Sequence, residues 1–546
     1  MTETILPGVL IEVRPEGLIV PGSVTVGNIG IVGTAAKGPI DQAVILGSYS
    51  QAVEEFGLYD RWPDGASGEL TLVRALEQAY RYGASTVIAV RIADTTTLAA
   101  ASAASADLSS PSGPCVRVLA KSAGTWGNDL LVEVTAADAN ALVRDEELAG
   151  GNLAHSPVVP SAQNRVVIRP GGGGADQVPP IVYDTPPAPS QVRIDTLTGA
   201  VTFGTAPGGS DVALVTYTVA RASARRVAIK SGTLEEAFNV VSGDDLITDL
   251  ATSTLAVGDA LANSTELPDE VAATPLTGGT NGASGASYQS GLDRLLGEDA
   301  HIILAAGQSN EDFGDELAAH AAAASGDAVK RERIAVVGSA LGGDIDTLQE
   351  HTLNSDRLVF VAPGIKANDN SRTPPEEVTL SGAYAAAAVA GLLSSLSAHI
   401  SPTNKVLPVG GLEETFSRAE LAQLVQSRIL VLESRQGFRI TKGITTSTNT
   451  AWHQITTRRI VDFAKIGVRS AATPYIGLLN NERVRAAMRA TINSFLTTMV
   501  DDEMLVSYEL DVSATRAEEI RGIARVEMVL RPTFSIDFIK VTMFLE

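Results

Sequence analysis

Short, largely apolar strand patterns alternate with helical patterns in two separated parts of the chain. The strand patterns lie at 24–32, 87–90, 301–304, 334–337 and 358–361. Helical spacing predicts helices near 70–83, 312–324, 347 and 383–396. Apolar strands separated by helices are typical of parallel sheets covered on both faces. We therefore predict a middle α/β domain that combines residues 23–110 with residues 276–400.

The stretch between these two parts has a different composition. Residues 111–275 are rich in Val, Thr, Gly and Pro, and turn residues separate short strand patterns at 192–194, 201–203 and 212–219. This punctuation predicts a β-rich domain inserted into the α/β domain. The role of residues 150–220 stays open.

The C-terminal quarter mixes both kinds of pattern. The predicted elements are a hairpin around 435–437, helices near 457–467 and 481–499, and a strand over 524–531. Apolar and polar residues alternate along that last strand, which indicates one buried face. We predict an α+β domain at 401–531, so the whole chain is a multidomain α/β protein.

Both ends of the chain are apolar and strand-like. The N-terminal arm (1–22) carries Val9, Ile11 and Val13, and the C-terminal arm (532–546) carries Ile536, Phe538, Ile539, Val541 and Met543. Such ends either pair within their own chain or add a strand to the sheet edge of a neighbour. The pattern alone leaves both alternatives open.

The charge of the chain argues against nucleic acid as a direct partner. Lys and Arg number 41 against 63 Asp and Glu, a net charge of −22 that repels polyphosphate. Residues 400–546 hold 18 basic and 16 acidic residues, so the net negative charge lies in residues 1–399. Either the front is simply a solvated acidic surface, or the rear packs against something acidic. Arg483, Arg485 and Arg489 are likewise either a solvated face or a basic patch.

Residues that carry chemistry are sparse. The six histidines form no paired metal-ligand motif, and the single Cys115 excludes an intrachain disulfide and thiolate metal sites. The glycine-rich stretch 276–285 lacks the lysine of a phosphate-binding loop, and no Gly-x-Ser-x-Gly elbow occurs. The acidic pairs at 244–245, 376–377 and 501–502 are interpreted as solvated loops. We predict no cofactor, no metal and no catalysis.

No part of the sequence predicts membrane insertion. The longest apolar run, 383–393, is much shorter than the roughly 20 residues that a spanning helix needs. The first residues also lack the basic and apolar regions of a secretory signal.

Several segments together resemble contractile phage tail sheath proteins. They occur in the expected order at 7–12, 29–39, 55–57, 81–91, 120–128, 276–282, 361–364, 390–392, 443–446, 458–463 and 481–496. Each of these short motifs is common in proteins, so the resemblance rests on their order over nearly the whole chain.

The resemblance implies a fold and a function. It implies a non-catalytic middle domain with a subtilisin-like fold, an outer domain at 111–275 and an inner domain at 401–531. The N- and C-terminal arms are expected to be exchanged into the inner domains of neighbouring subunits. The subunit is expected to polymerise as helically stacked hexameric rings around a tail tube and to contract, driving the tube through the target cell envelope. The alternative is a hydrolase with a subtilisin-like domain.

The resemblance also implies partners. These are further copies of the chain, the tail tube protein, and baseplate and tail terminator proteins, and Arg483, Arg485 and Arg489 become candidates to face the tube. The expected location is the virion tail, after assembly in the host bacterial cytoplasm. Whether the particle is a phage, a bacteriocin-like tail or another injection device stays open.

Overall fold

The computed structural model describes residues 27–60, 69–97, 100–148, 150–371 and 374–544. The chain divides into two compact units. The first combines residues up to 35 with 40–92 and with the chain from 286 onward, and the second combines 36–39 with 93–285. The candidate arm residues Val9, Ile11 and Val13 lie outside the described residues.

Helices and strands both occur along the described part of the chain. The helices are α1 Tyr49–Phe56, α2 Leu72–Arg81, α3 Gly243–Leu250, α4 Tyr288–Leu295, α5 Asn310–Ala324, α6 Ile345–Gln349, α7 Gly382–Ser395, α8 Arg418–Gln426, α9 Ile455–Ala472, α10 Glu482–Asp501 and α11 Arg516–Ile520. The strands are β1 Ile29–Gly33, β2 Ala43–Leu46, β3 Val87–Arg91, β4 Ser105–Ser110, β5 Gly113–Ala120, β6 Leu131–Ala136, β7 Ala141–Glu147, β8 Val158–Val159, β9 Arg165–Arg169, β10 Ile181–Tyr183, β11 Val192–Ile194, β12 Val201–Phe203, β13 Val212–Val219, β14 Arg225–Ser231, β15 Leu234–Val240, β16 Ala256–Ala260, β17 Val271–Pro275, β18 Ile302–Ala305, β19 Ile334–Gly338, β20 Leu358–Ala362, β21 Ile365–Asp369, β22 Glu376–Leu380, β23 Gly411–Leu412, β24 Leu430–Ser434, β25 Phe438–Ile440, β26 Leu505–Ser513 and β27 Arg525–Pro532.

A mainly parallel sheet forms the centre of the first unit. Its strand order is β2-β3-β1-β18-β19-β20-β24-β25. The six inner strands are parallel, and the outermost strand on each side pairs antiparallel. Every residue of β1, β3, β18, β19 and β20 is buried. The predicted apolar strands at 87–90, 301–304, 334–337 and 358–361 are thus confirmed, as is the mixed α/β class.

Helix α7 is buried against this sheet because its sequence carries no charge and little bulk. All residues from 382 to 391 are buried. A Cβ atom on Gly391 would lie 2.3 Å from the carbonyl oxygen of Ala79, so α2 and α7 approach at a point where only glycine fits. Although α7 is apolar, no helix of the described residues is long and apolar enough to span a membrane.

The second unit is built from small sheets. Their strand orders are β10-β11-β12, β7-β13-β8 with β9 also on β13, β15-β14-β6-β17, and β16-β5-β4. The strands predicted at 192–194, 201–203 and 212–219 are confirmed as β11, β12 and β13.

The interpretation of the acidic pairs as loops was wrong. Asp244 and Asp245 occupy the first turn of α3, where carboxylates favour the positive end of the helix dipole. Glu376 and Glu377 begin β22, and Asp501 ends α10.

Candidate functional site: the C-terminal hairpin and segment

Helix α9 is fixed to the central sheet by a buried ion cluster. Arg357, directly before β20, donates to both carboxylate oxygens of Asp462 on α9, at 2.7 and 3.0 Å. Arg458, one turn earlier on α9, donates to the same carboxylate at 2.8 Å. All three side chains are less than a tenth exposed. Such a cluster specifies one orientation of the helix, because a buried charge without its partner is strongly unfavourable.

A second carboxylate holds the other half of α9. Glu332, next to β19, is fully buried and accepts hydrogen bonds from Lys465 at 3.0 Å and from Arg469 at 2.8 Å. Burial alone would raise the pKa of Glu332, but the hydrogen bonds from Arg469 and Lys465 lower it to about 2. Glu332 is therefore ionised at neutral pH and bonded to α9.

Helix α10 packs on α9 through an apolar stripe. Met488, Ile492, Phe495 and Met499 are buried on this face. The ring of Phe495 stacks on Phe463 of α9, with 5.9 Å between ring centroids. A Cβ at position 467 of α9 would meet that ring at 1.9 Å, so glycine there lets the two helices approach. The helix pair is a rigid base for the two strands that come next in the chain.

Strands β26 and β27 form an antiparallel hairpin that packs one face on this base. Tyr508, Leu510, Val512, Val526 and Leu530 contact the α9–α10 core and are half-buried. The opposite face is exposed and carries the acidic residues Glu509, Asp511 and Glu527. In the described part of the chain this sheet has only these two strands. Both of its outer edges therefore present backbone groups that can pair with a further strand.

The C-terminal segment, residues 533–544, runs on from β27 without regular secondary structure. The amide of Thr533 donates to the carbonyl oxygen of Met504 at 3.1 Å. Gln454, at the start of α9, accepts from the amide of Ser535 at 3.3 Å and donates to the carboxylate of Asp537 at 3.2 Å. These contacts attach the first part of the segment to its own chain.

An ion pair completes this attachment. Lys442 lies 3.4 Å from the Asp537 carboxylate, and the two side chains are 19% and 13% exposed. The Lys442 ammonium also lies 5.4 Å from the centre of the Phe538 ring. The pair therefore holds the segment as far as Phe538.

Beyond this point the segment has no cover from its own described chain. Ile539, Val541, Met543 and Phe544 are 73 to 88% exposed, and no hydrogen bond or ion pair joins 539–544 to the other described residues. A run of large apolar side chains in water marks an interaction site. An open-edged hairpin and an uncovered apolar segment thus follow each other in the chain.

Comparisons with known families match residues 281–546, which include the hairpin and the C-terminal segment. The phage tail sheath protein central domain matches residues 281–446, and the phage tail sheath C-terminal domain matches residues 447–546. The two matches adjoin and occur in this order. These matches support a contractile tail sheath family for this chain. No curated protein matches this sequence.

Solved sheath structures share the fold across almost the whole chain. The sheath tail protein of Listeria innocua is 14% identical with a TM-score of 0.60, and 95% of each chain is covered. That of Desulfitobacterium hafniense is 13% identical with a TM-score of 0.58, covering 96% of this chain and 100% of the other. The helical sheath of the anti-feeding prophage in its contracted state is 13% identical with a TM-score of 0.50, and both chains are fully covered.

The three arginines predicted to face a tube have different surroundings in this sheath chain. Arg485 is only 14% exposed and contacts Glu519 at 3.1 Å and the Asn480 side chain at 2.8 Å. Arg489 is exposed and donates to the carbonyl oxygen of Leu510 on β26 at 3.1 Å. Arg483 is exposed on α10. Sequence spacing groups the three, but Arg485 is turned toward its own subunit.

Two of the histidines bond neighbouring residues of the chain. His320 contacts Arg333 at 3.1 Å, and His351 bonds the carbonyl oxygen of Ser427 at 2.6 Å. Burial, helped by Arg333, lowers the pKa of His320 to about 4, which makes it a weak base at neutral pH. The sheath family likewise indicates a structural protein.

Strand β26 is the main element of the site that the sequence prediction missed. Tyr508, Leu510 and Val512 alternate with Glu509 and Asp511, which is the signal that could have found it. The charged residues before and after this run obscured the pattern.

Proposed function

We propose that this chain is the structural subunit of a contractile tail sheath. It polymerises as helically stacked hexameric rings around a tail tube, and contraction of the polymer drives the tube through the target cell envelope. The matches of residues 281–546 to phage tail sheath domains support this proposal, as does a fold shared with a sheath in its contracted state.

One observation carries the assembly argument. The apolar side chains of 539–544 are uncovered, and the hairpin in the same domain has open edges. An extended segment gains main-chain hydrogen bonds and apolar burial when it adds to such an edge in another subunit. A contact of this kind joins two different surfaces, so it propagates into a helical array instead of closing a dimer.

Contraction then requires subunits that slide without separating. Exchanged arms keep neighbours connected by backbone hydrogen bonds while the faces of the folded domains change partners. The extended lattice stores energy as incomplete burial between subunits, and contraction releases it by burying more apolar area. No nucleotide is needed in this scheme.

The remaining assignments belong to the same proposal. The arm at 1–22, with Val9, Ile11 and Val13, is exchanged in the same way as the arm at 532–546. Residues 23–110 with 276–400 form the middle domain, which has a subtilisin-like fold without catalysis. Residues 111–275 form the outer domain, and 401–531 form the inner domain facing the tube. Tube, baseplate and terminator proteins are the partners, and the particle is assembled in the host bacterial cytoplasm.

Negative-stain microscopy of the purified chain tests assembly. We expect discs or hollow tubes from the intact chain, and dispersed folded subunits after deletion of residues 534–546. Ile520→Asp is a control for changing an exposed apolar side chain outside the arm, and it should still form tubes. Ile520 on α11 is 75% exposed, close to the 79% of Ile536 in the deleted segment. Tubes from the deletion variant, or dispersed subunits that hydrolyse peptides, would contradict the proposal.

A further inference from the structure

We propose that a small cavity at the amino end of the central sheet binds an oxyanion, either a phosphate ion or a carboxylate group. This oxyanion cavity is lined by Asp299, His301, Lys330, Arg331, Glu332 and Arg469. The inference goes beyond the proposed sheath function, because it concerns the folded single chain.

Two parallel strands and one helix bring these side chains together. Residues 299–301 directly precede β18, and residues 330–332 precede β19. Because β18 and β19 are parallel neighbours, the chain enters both at the same edge of the sheet. Helix α9 contributes Arg469, which donates to the carbonyl oxygen of Lys330 at 3.2 Å. The cavity measures about 260 Å³, below the roughly 300–1,000 Å³ of most sites for organic ligands, so it suits a small ion.

Positive charge exceeds negative charge in this lining. Lys330, Arg331 and Arg469 are cations, and the carboxylates are those of Asp299 and Glu332. Both carboxylates are already bonded, Asp299 to Arg331 at 2.7 Å and Glu332 to Arg469 at 2.8 Å. Lys330 is exposed and has no ion-pair partner among the described residues. The ammonium group of Lys330 is therefore left for an anion from outside the chain.

Two buried arginines near His301 add to the positive charge. Arg333 is 1% exposed and Arg459 is 5% exposed. Their guanidinium groups donate to backbone carbonyl oxygens, that of Arg333 to Glu298 and that of Arg459 to Leu396, each at 2.9 Å. Burial lowers the pKa of both arginines to about 10, so both remain charged at neutral pH. Carbonyl oxygens satisfy their hydrogen bonds but do not neutralise these charges, and in the part of the chain that the structure describes neither arginine has an ion-pair partner.

His301 offers the cavity a hydrogen bond. Its side chain is 9% exposed, and its buried Nδ1 atom has no hydrogen-bond partner within the described structure. A buried polar atom without a partner is unfavourable, so a ligand that bonds it gains free energy. Burial, with the positive charges of Arg333 and Arg459 nearby, holds the pKa of His301 below its ordinary value, so the ring is neutral at neutral pH. A neutral imidazole still carries one N–H, which can donate to an oxyanion.

These features select the class of ligand. The surplus of positive charge repels metal cations, whereas an oxyanion accepts charge-assisted hydrogen bonds from Lys330 and a hydrogen bond from His301. Two sources supply such an oxyanion. One is a free phosphate ion, and the other is an acidic side chain of a second copy, since the chain carries 63 Asp and Glu residues.

Equilibrium dialysis of inorganic phosphate against the unpolymerised chain tests the site, with chloride holding the ionic strength constant. We expect saturable uptake at a single site. Lys330→Gln and His301→Phe should each weaken phosphate binding about tenfold, the loss expected for one charge-assisted contact. Lys405→Gln is the matched control, because Lys405 is an exposed lysine outside the cavity, and it should leave binding unchanged.

Two results would overturn the inference. One is the absence of saturable phosphate uptake, and the other is uptake that Lys330→Gln leaves unchanged, which would indicate an adventitious ion only. Thermal unfolding in chloride checks that each variant is folded. Because Lys330 is exposed, Lys330→Gln keeps the test decisive even where His301→Phe does not fold.

Tubes distinguish the two sources of the oxyanion. If a carboxylate of a second copy occupies the cavity, tubes take up no phosphate, and phosphate raises the free subunit severalfold over chloride at the same ionic strength. Lys330→Gln should abolish that difference. If the ligand is a free ion, tubes bind phosphate in the same ratio per chain as the unpolymerised protein. Either result supports an oxyanion in the cavity and identifies its source.

Failure of this inference and failure of the proposed function are distinguishable. If the intact chain forms no tubes, the sheath proposal fails, while dialysis of the single chain still tests the oxyanion cavity. If tubes form but the single chain binds no phosphate, only the oxyanion cavity fails.

Discussion

The central sheet and the C-terminal segment use the same residue types in opposite ways. Phe360 in β20 is fully buried between helices, whereas Phe538 is 79% exposed. Asp462 is bound by two arginines of the same chain. Asp537 attaches the segment to Lys442, but the residues from 539 onward are exposed. The sheet is thus complete within one chain. The described part of the chain leaves the apolar side chains of residues 539–544 exposed. Under the proposed function, folding of the subunit and assembly of the polymer are therefore separate.

The largest expected difference comes from truncating matched phenylalanines. Phe360→Ala should lower the free energy of unfolding of the unpolymerised subunit by about 3–5 kcal/mol, because it removes core contacts and leaves a cavity. Phe538→Ala should change it by less than about 0.5 kcal/mol. Denaturant titration of both variants checks this. A large destabilisation by Phe538→Ala would show that the segment is part of the subunit's own core.

Removing the buried carboxylate of α9 should have the next largest effect. Asp462→Ala removes the carboxylate that Arg357 and Arg458 share and leaves the buried Arg357 without a carboxylate partner, while Arg458 keeps Asp356. We expect this to cost about 3 kcal/mol of stability. The matched change Asp537→Ala should cost only about 1 kcal/mol, since its ion pair with Lys442 is partly buried and not part of a fully buried cluster. Thermal unfolding of both variants gives the ranking, and equal losses would remove the distinction between sheet and segment.

Acid should lower the stability of the subunit by protonating Glu332, which is bonded to α9. Its pKa is about 2 in the folded chain, below the ordinary value of 4.5, so its contribution is fully present above pH 4.5. As the pH falls from there toward 2, the unfolded chain binds the proton first and this stability is lost. Glu332→Gln should therefore have a lower melting temperature than the wild type at pH 7, with a gap that narrows toward pH 2. A constant gap over this range would contradict the assignment.

The smallest expected effect concerns the arginines of α10. Arg485→Ala should destabilise the subunit by about 1 kcal/mol, because it breaks the partly buried pair with Glu519. Arg489→Ala should cost less, because Arg489 is exposed, and any contribution of α10 to tube binding should appear there first. Unfolding and tube co-sedimentation at moderate salt measure the two effects. Equal stability of both variants would show that Arg485 is not committed to its own subunit.

The central sheet could be predicted from the sequence because its strands are apolar on both faces. Residues 334–338 and 358–362 have this pattern, and helical patterns occur between and after them. The hairpin was harder, since Tyr508 and Leu510 alternate with acidic residues in a sheet exposed on one face. The ion pairs Arg357–Asp462, Glu332–Arg469 and Lys442–Asp537 join residues about 95 to 137 positions apart. Spacing along the chain carries no signal for such contacts, so the attachment of residues 533–538 to their own chain could not be predicted.

A structure of the assembled polymer tests the central claim most directly. We expect residues 539–544 to lie as an added strand on the β26–β27 hairpin of a neighbouring subunit, with Val541 and Met543 facing its helices. Residues 533–538 should remain bound to Lys442 and Gln454 of their own subunit. A polymer in which 539–544 folds back onto its own chain, or contacts no hairpin, would contradict the account.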